Sequence, residues 1–362
     1  MTTIIQIVQH LRPGGIETMA LDLLSFGSES NTCYIISLED NFENAVSRWP
    51  RLAPFRNRLI FLDKKPGFQP SIFASLFRIF RSLNPVAIHT HHIGPLLYAG
   101  VSGKVFGIPS HVHTEHDAWH LENKKQRTLQ SYALKIANPT LVADSQSVAK
   151  DLETHIKNRS ITIVRNGINT DHFVPGNSNA ARHQLNLPTD KKVVGCSGRM
   201  ETVKGQHFLL DAIRLLSDDI HLAIAGSGSQ ESKLLDQARS LNIEDRVHFL
   251  GHLDNMNTFY QSLDVFCLPS LNEGFPLSPL EAQSCGIRTV VTDVGGSIET
   301  ICPVTGDAVK KACPIALSLG LLHTLNMPKS KLPREFAKQH GNVTDMVKKY
   351  SQLLLNTNAI FR

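Results

Sequence analysis

Two basic side chains in the second half of the chain have the spacing of a phosphate clamp. The segment Val194–Gln206 carries Arg199 and Lys204 five residues apart, with glycines interspersed. An arginine holds a phosphate with its planar fork, a lysine acts as a point charge, and glycine lets backbone N–H groups approach a ligand. The segment has the pattern of a strand, a loop and a helix, so both cations should lie at the carboxyl end of a strand. We predict a diphosphate site here; the alternative is two solvated cations on a surface loop.

Two carboxylates follow further along the chain. Glu273 falls in a loop after the apolar run Val265–Leu268, and Glu281 falls on the helix that Pro276 or Pro279 would begin. Such a pair could be the acid and base of a glycosidase. A glycosidase needs no diphosphate clamp, however, whereas carboxylates beside a diphosphate can accept hydrogen bonds from ribose and sugar hydroxyls. We therefore expect the second role.

Seven of the 17 histidines cluster within 32 residues: His89, His91, His92, His111, His113, His116 and His120. Alternation along a strand puts His89 and His91 on one face, and imidazoles at that spacing can chelate a metal. No cysteine or carboxylate completes a compact set of ligands. We expect instead a polar wall of a ligand cleft in which one histidine is functional.

A glycine pair follows the first predicted strand. Gly14 and Gly15 lie within Leu11–Gly15, directly before a helix that starts near Ile16. Backbone N–H groups at such a turn, together with the positive end of the helix dipole, favour an anion. The same pair can equally serve only to turn the chain.

Short β-branched runs alternate with amphipathic stretches along both halves of the chain. The predicted strands are Ile4–Gln9, Cys33–Leu38, Leu59–Leu62, Val86–Thr90, Ser110–Thr114, Thr140–Asp144 and Ile161–Arg165, then Val193–Ser197, His221–Ala225, Val247–Leu250, Val265–Leu268 and Thr289–Thr292. Such alternation builds doubly wound parallel sheets that bind ligands at the carboxyl ends of their strands. Turn-forming residues 166–192 predict a linker, and only helical patterns follow residue 312. We predict an α/β fold with domains at 1–170 and 171–342 and a final helix within 343–362.

Composition excludes several classes of protein. The 362 residues are 41% apolar and 19% charged, which rules out disorder and supplies cores for two domains. The six cysteines are far apart and include no Cys-x-x-Cys pair, so we expect reduced, mostly buried thiols. The first residues do not resemble a signal peptide, and no apolar run approaches the ~20 residues that span a bilayer. We expect a cytoplasmic protein, with peripheral attachment to the inner membrane face as an option.

The net charge of +5 belongs to the first half. Residues 1–170 hold 18 Lys+Arg against 13 Asp+Glu, and residues 171–362 hold 19 against 19, so we expect an anionic partner for the first domain. A basic and aromatic segment there predicts docking on an anionic membrane. It contains Arg48, Arg51, Arg56, Arg58, Lys64 and Lys65 with Trp49, Phe55, Phe61 and Phe68. The alternative is a solvated face with Phe61 in a core strand. Nucleic acid is not expected, because the charge is modest and lacks the aromatic interleaving of single-strand binders.

Taken together, these segments resemble the retaining, nucleotide-sugar-dependent glycosyltransferases of family 4. The motifs that carry the resemblance span most of the chain: Pro13-Gly14-Gly15, Thr114-Glu115-His116-Asp117, Asn166-Gly167-Ile168-Asn169, Gly198-Arg199 with Lys204-Gly205, Ala225-Gly226-Ser227-Gly228, Phe249-Leu250-Gly251, Pro269 through Glu281, and Gly295-Gly296 with Glu299. The resemblance implies the GT-B architecture, two Rossmann-like domains facing a central cleft, with a closing helix that crosses back onto the first domain. His91-His92 corresponds to no motif of the family.

The resemblance also implies a role for each site residue. Arg199 and Lys204 would hold the donor diphosphate, Glu281 would bind the ribose hydroxyls, and Glu273 would meet the donor sugar. His116 would lie beside the sugar near the reacting carbon, with His113 as the alternative. The further donor-binding positions are Gly15, Gly198, Gly226, Leu250, Gly274, Phe275, Pro276 and Leu277, and the acceptor-binding positions are Gly14 and His113.

The resemblance implies transfer of a sugar from a nucleoside diphosphate sugar, with retention of the anomeric configuration. We expect a UDP-linked donor. The acceptor would be a hydroxyl of a glycan or a lipid-linked acceptor in cell-surface polysaccharide biosynthesis. The clamp can stabilise the charge on the leaving phosphate without a metal, so no cofactor is expected. Three other functions stay open: a nucleotide-sugar epimerase of the same fold, a metal-dependent hydrolase built on His89, His91, His111 and His113, and a non-catalytic sugar-nucleotide binder.

Overall fold

The structure is a computed structural model that describes residues 2–28 and 30–355. It divides into two compact units, Met1–Asn166 with Val343–Arg362, and Gly167–Asn342. The division falls slightly before the boundary at residue 170 that the sequence predicted. Each unit contains one parallel sheet with helices between its strands, so the predicted α/β class is confirmed.

In the part of the chain that the structure describes, seven parallel strands form the first sheet, in the order β3-β2-β1-β4-β5-β6-β7. They are β1 (Thr2–Val8), β2 (Asn31–Ser37), β3 (Leu59–Phe61), β4 (Ala87–His91), β5 (Ser110–Glu115), β6 (Thr140–Ala143) and β7 (Ile161–Ile163). The helices are α1 (Gly15–Ser25), α2 (Phe42–Arg48), α3 (Ser71–Leu83), α4 (Ile93–Pro95), α5 (Val101–Phe106), α6 (Lys124–Ala137) and α7 (Gln146–His155). The strand order reverses at β1, which pairs with both β2 and β4. Ligands of open α/β sheets bind at the carboxyl ends of the strands where the order reverses.

Strand β1 shows why this sheet forms. Its apolar residues are buried on both faces, as expected for a parallel strand covered by helices on each side. Ile4 packs in a cluster with Met19 of α1, whereas Ile5 and Ile7 pack in a cluster with Leu76 of α3. The strand therefore joins two helical layers.

Among the described residues, six parallel strands form the second sheet, in the order β10-β9-β8-β11-β12-β13. They are β8 (Lys192–Ser197), β9 (Ile220–Ala225), β10 (Val247–Gly251), β11 (Val265–Leu268), β12 (Arg288–Thr292) and β13 (Asp307–Val309). The helices are α8 (Ser178–Gln184), α9 (Gln206–Arg214), α10 (Glu231–Ser240), α11 (Met256–Gln261), α12 (Ser278–Ser284), α13 (Pro314–Asn326) and α14 (Leu332–His340). Here the order reverses at β8, which pairs with β9 and β11.

The division between the two units falls at the start of the predicted linker, 166–192, but the rest of this segment is folded as part of the second unit. It contains α8, and the buried guanidinium of Arg182 donates hydrogen bonds to the Ser262 carbonyl at 2.8 Å and to Asp264 at 2.7 Å. These contacts fasten the segment to the second unit. The short edge strand β13 was also not predicted.

The last described helix, α15 (Val343–Leu355), belongs to the first unit. Val343, Met346 and Tyr350 are buried in the cluster that contains Ile4 and Met19. The predicted range of this helix extends to residue 362, and residues 356–362 lie outside the described residues. All six cysteines are free and five of them are buried, which confirms the predicted thiols. Within the described ranges, no helix combines the length and the apolar character that crossing a membrane requires.

Candidate active site

The predicted diphosphate site lies where the second sheet reverses its strand order. Strand β8 leads into the loop of Arg199 and Lys204, and β11 leads into the loop of Glu273. The Nζ of Lys204 donates a hydrogen bond to Oε1 of Glu273 at 2.6 Å. The Ser270 hydroxyl donates to the same oxygen, also at 2.6 Å. Two residues chosen from separate sequence motifs therefore touch each other.

The contacts of this pair leave groups available for a ligand. Glu273 is 9% exposed, and its Oε2 accepts no hydrogen bond from the described residues. Arg199 is exposed and forms no ion pair within the described part of the chain. The site thus offers one oriented carboxylate oxygen, the remaining N–H groups of Lys204 and a whole guanidinium.

Two glycines allow the loops of the site to approach each other. Gly226 has φ +131, and a Cβ there would lie 2.1 Å from the carbonyl oxygen of Gly198. Gly295 has φ +51, and its Cβ would lie 1.8 Å from the carbonyl oxygen of Glu273. The next residue, Gly296, donates its N–H to the Gly274 carbonyl at 2.8 Å. A side chain at 226 or 295 would push these loops apart.

Glu281 is held by a residue that sequence reasoning missed. The hydroxyl of Tyr260, on α11, donates to Oε2 of Glu281 at 2.6 Å and lies 3.3 Å from the Ser197 hydroxyl. Burial and the nearby Glu281 charge raise the pKa of Tyr260 well above its ordinary value, so the phenol keeps its proton. Nothing in the spacing of Tyr260 distinguishes it from any other core aromatic residue.

The other predicted donor-binding side chains lie mostly inside the second unit. Phe275 is buried in a cluster with Ile168, and the partly buried Leu277 packs against that cluster. Pro276 is buried as well, and Leu250 is half-buried in β10. Any contact of Phe275 with a donor would therefore come from its backbone.

The glycine pair of the first unit is already beside a negative charge. Gly14 caps α1 with an extended backbone, and Gly15 begins the helix with nothing within 4 Å of a Cβ built on it. A Cβ on Gly14 would lie 2.3 Å from a carboxylate oxygen of Glu17. Glu17 lies in the first helical turn, 3.1 Å from Nδ1 of His10.

Three of the seven clustered histidines are buried and cannot line a cleft. His89, His91 and His113 are completely buried within β4 and β5. His89 and His91 share a face, as predicted, with ring centroids 4.1 Å apart, and Tyr350 of α15 covers His89 at 4.7 Å. Burial lowers the pKa of His89 and His91 well below the ordinary value, so both rings are neutral. For these three rings the predicted cleft wall is wrong, and the ring of His89 is covered by a helix from the far end of the chain.

Neighbouring hydroxyl groups occupy several ring nitrogens of this cluster. Thr90 Oγ1 lies 2.8 Å from His111 Nε2 and 2.9 Å from His113 Nδ1, and His89 Nε2 lies 2.8 Å from Thr114 Oγ1. Among the residues that the structure describes, no three His, Cys, Asp or Glu side chains are grouped to hold a metal ion. The geometry gives no support to a metal-dependent hydrolase built on these rings.

His116 takes part in a buried hydrogen-bonded chain. Its Nδ1 lies 3.2 Å from Oδ2 of Asp144, and its Nε2 lies 3.1 Å from Nδ1 of His91. His91 Nε2 in turn lies 3.1 Å from the side-chain oxygen of Gln6. His116 is 6% exposed and has both ring nitrogens engaged. His113, the alternative, is deeper and lies 2.7 Å from Glu115.

Most cations of the basic and aromatic segment at 48–68 are paired within the first unit. Trp49 is buried in the core of the first unit. Five of the cations face carboxylates: Arg48 with Asp40, Arg51 with Asp22, Arg56 with Glu43, Lys64 with Glu39 and Lys65 with Asp63. The sixth, Arg58, donates to the Cys33 carbonyl at 3.3 Å. These pairs reduce the net charge that the segment can offer to a membrane, and its docking on a membrane stays a prediction.

Two family models match the chain side by side. Residues 13–172 match Glycosyltransferase Family 4, and residues 177–342 match Glycosyl transferases group 1. The chain is a glycosyltransferase of the family 4 type. The predicted enzyme class is thereby confirmed, and the two Rossmann-like units are those of the GT-B fold.

Individual relatives of this glycosyltransferase match parts of it. A D-inositol 3-phosphate glycosyltransferase of Geodermatophilus obscurus is 36% identical over 172 residues, which are 43% of this chain and 38% of that protein. The lipopolysaccharide core biosynthesis mannosyltransferase LpsB of Rhizobium meliloti is 34% identical over 149 residues, 39% of this chain and 42% of that protein. The matched segments thus span less than half the length of these curated relatives.

Similarity in structure extends over nearly the whole glycosyltransferase chain. HepE of Anabaena, solved with UDP and glucose, superposes with a TM-score of 0.83 at 18% identity over 97% of this chain and 99% of its own. HepE has also been solved with UDP-glucose. At this identity the likeness establishes the fold.

Proposed function

We propose that this glycosyltransferase moves a hexosyl group from a UDP-sugar to a hydroxyl of a glycan or lipid-linked acceptor in cell-surface polysaccharide biosynthesis, retaining the anomeric configuration. The observation that carries the proposal is the contact of Lys204 with Glu273, on the loops where the second sheet reverses, with Arg199 exposed on the Lys204 loop. HepE, of similar fold, binds UDP and UDP-glucose, which supports a UDP-linked donor. LpsB acts in lipopolysaccharide core biosynthesis, which supports a surface glycan as product.

Each charged group has a task in this reaction. As the glycosidic bond breaks, negative charge grows on the distal phosphate, and Arg199 and Lys204 stabilise it. The Lys204 ammonium has three N–H donors, so it can keep its bond to Glu273 while donating to a phosphate oxygen. Glu273 Oε2 accepts a hydrogen bond from a hydroxyl of the donor sugar. The leaving phosphate takes the acceptor's proton, so the reaction needs no separate base and no cofactor.

Glu281 binds the ribose. Tyr260 fixes one oxygen of this carboxylate in a buried contact, which reduces the conformational entropy that nucleotide binding would otherwise cost. The division of roles is then nucleotide at Glu281, diphosphate at Arg199 and Lys204, and sugar at Glu273.

The first experiment is a panel of nucleotide sugars, including UDP-glucose and GDP-mannose, measured by thermal shift. A donor at 100 times its Kd should stabilise the protein by about 2.7 kcal/mol. The donor that shifts the melting temperature is then incubated with octyl glucoside, D-inositol 3-phosphate or lipopolysaccharide, and the anomeric configuration of the product is read by NMR. Conversion of the donor alone to another nucleotide sugar would indicate the epimerase instead, and no binding by any nucleotide sugar would contradict the proposal.

For a lipid-linked acceptor, the surface that would dock on an anionic membrane is the outer face of α6. Leu129, Tyr132 and Ile136 form an exposed apolar stripe along this helix. Lys125 and Lys135 are exposed beside the stripe and form no ion pair with any described residue. Uncompensated cations next to exposed apolar groups suit acidic headgroups, each contributing about 1 kcal/mol near the surface.

Co-sedimentation with vesicles of phosphatidylglycerol and phosphatidylcholine tests this surface. Binding should fall with salt and be lost in Tyr132→Asp and Ile136→Asp. The matched control is Arg56→Glu, on the segment whose charges are already paired, which should bind as the unaltered protein does. A protein that stays in the supernatant at low salt would indicate a soluble acceptor.

A further inference from the structure

His92 has a backbone conformation that residues other than glycine rarely adopt. It follows β4 directly, with φ +63 and ψ 170. Other positive-φ residues such as Asn84 (φ 43, ψ 59) and Asn138 (φ 45, ψ 55) are left-handed helical, which asparagine tolerates at a helix end. The ψ of His92 instead places it in the region that is essentially restricted to glycine, and residues forced into it cluster at functional sites.

The neighbours of His92 hold it there. Its N–H points to the Thr114 carbonyl at 3.4 Å, and its carbonyl accepts from the Leu96 N–H at 3.2 Å. Gly94 packs so closely on Gln9, which follows β1, that a Cβ at Gly94 would lie 2.1 Å from the glutamine oxygen. Because β1 and β4 are the strands where the first sheet reverses its order, the strain lies at the position where such a sheet binds a ligand.

The strained backbone places the imidazole of His92 over His116. The two ring centroids are 5.5 Å apart with an interplanar angle of 62°. His116 is nearly buried and has both nitrogens engaged by Asp144 and His91. His92 is half-buried, and its ring forms no hydrogen bond with any described residue. At this edge of the first sheet, His92 thus has ring nitrogen atoms available to a ligand.

We propose that His92, rather than His116, is the histidine that contacts the acceptor, its ring nitrogen accepting a hydrogen bond from the acceptor hydroxyl. His116, which contacts His91 and Asp144 through its ring nitrogens, packs against the His92 ring and positions it. The inference rests on the proposed transferase reaction, in which the reversal point of the second sheet already accounts for the donor. The corresponding point of the first sheet is then left for the acceptor.

The electrostatics of the neighbourhood agree with this role. Burial and the neighbouring His116 lower the pKa of His92, and Glu115 and Asp117 oppose this effect. His120 also faces it and lowers the pKa further. The ring of His92 is therefore neutral at pH 7 and keeps the lone pair that a hydroxyl donor needs.

Two substitutions at one position test the inference. His92→Gly and His92→Ala both remove the imidazole, but only glycine relaxes the backbone. Both should lower kcat/KM for transfer by about tenfold, the effect expected when one hydrogen bond to the acceptor is lost. His92→Gly should nevertheless melt about 2–4 °C above His92→Ala. UDP binding, measured by calorimetry, should be unchanged in both, because the nucleotide contacts lie in the second unit.

The control is the same pair of substitutions at Asn84, at the end of α3. Asn84→Gly and Asn84→Ala should differ in melting temperature, because φ is positive there, and should leave transfer unchanged. Transfer by His92→Gly within threefold of the unaltered protein would overturn the role of His92. Absence of UDP binding by the unaltered protein would instead count against the proposed function.

A second readout does not depend on knowing the acceptor. Diethyl pyrocarbonate carbethoxylates accessible, neutral imidazoles, and peptide mass spectrometry locates the modified residue. His92 should react at least about tenfold faster than His91, His113 and His116, since those rings are buried and bonded. Faster modification of His116 than of His92 would overturn the inference.

Discussion

Arg199 and Lys204 should both bind the donor diphosphate, but they have different contacts when no donor is bound. Lys204 Nζ lies 2.6 Å from Glu273, with the two side chains 23% and 9% exposed. Arg199 is exposed and has no ion pair among the described residues. Alanine at the two positions should therefore have similar effects on turnover and different effects on stability.

The magnitudes follow from these contacts. Removing a group that stabilises transition-state charge costs about 2.7–4 kcal/mol, or roughly 10²–10³ in kcat, and we expect this of both variants. Lys204→Ala also leaves the Glu273 carboxylate with Ser270 as its one described hydrogen-bond donor. A charge-assisted hydrogen bond contributes about 1.5–3 kcal/mol, and the partial exposure of Lys204 reduces the expected loss of stability to about 1–2 kcal/mol. Arg199→Ala should change the free energy of unfolding by less than about 0.5 kcal/mol.

Differential scanning calorimetry and steady-state kinetics separate the two effects. The melting temperature of the Lys204→Ala protein should fall by about 2–8 °C, and that of the Arg199→Ala protein should stay within about 2 °C. Lys233→Ala, on the exposed face of α10, is the control and should alter neither quantity. Near-normal turnover in both site variants would refute the phosphate clamp, and equal loss of stability in both would refute the role of the Glu273 contact.

Three further predictions concern the same two units. Glu281→Ala should weaken UDP binding, measured by calorimetry, more than Glu273→Ala does, whereas Glu273→Ala should chiefly lower kcat. Equal losses of UDP affinity in the two variants would contradict the division of roles. Gly295→Ala should lower the free energy of unfolding in urea by more than about 2 kcal/mol and impair transfer, because its Cβ would overlap the Glu273 carbonyl. The control is Gly251→Ala, at φ +64 with open space around the Cβ, which should cost only about 1 kcal/mol. Burial by itself would lower the pKa of His120. The contacts of His120 with its carboxylate neighbours outweigh burial and raise the pKa to about 9. Because this folded value exceeds the unfolded one of about 6.5, the contribution to stability is complete below pH 6.5 and is lost as the pH rises to 9. His120→Gln should therefore flatten the decline of melting temperature over that window, and an unchanged decline would disprove the assignment.

The strands were predictable because their signal is local. A parallel strand covered on both faces must be a short apolar run, and runs such as Ile4–Gln9 and Val265–Leu268 coincide closely with β1 and β11. Strand β13, with three residues at a sheet edge, has too little apolar sequence to stand out. The alternation of strands with helices predicts doubly wound parallel sheets, whereas the order of the strands is seen only in the structure.

The contact of Lys204 with Glu273 was foreseeable for a similar reason. Parallel strands end at the same edge of a sheet, so loops that follow β8 and β11 must be neighbours once those strands pair. Sequence could therefore place the cation and the carboxylate in one site. It could not indicate that Ser270 and Tyr260 would each fix one carboxylate, because those hydroxyls have no distinguishing pattern.

By itself, then, the sequence determined the α/β class, the two units, the transferase family and the meeting of Lys204 with Glu273, since each depends on order and spacing along the chain. Only the tertiary structure decided the environment of a side chain. Helix α15 buries His89, Asp22 of α1 pairs with Arg51, and the close approach of Gly94 to Gln9 holds His92 in its strained conformation. Burial, pairing and strain arise from contacts between residues far apart in sequence, and local patterns carry no record of those contacts.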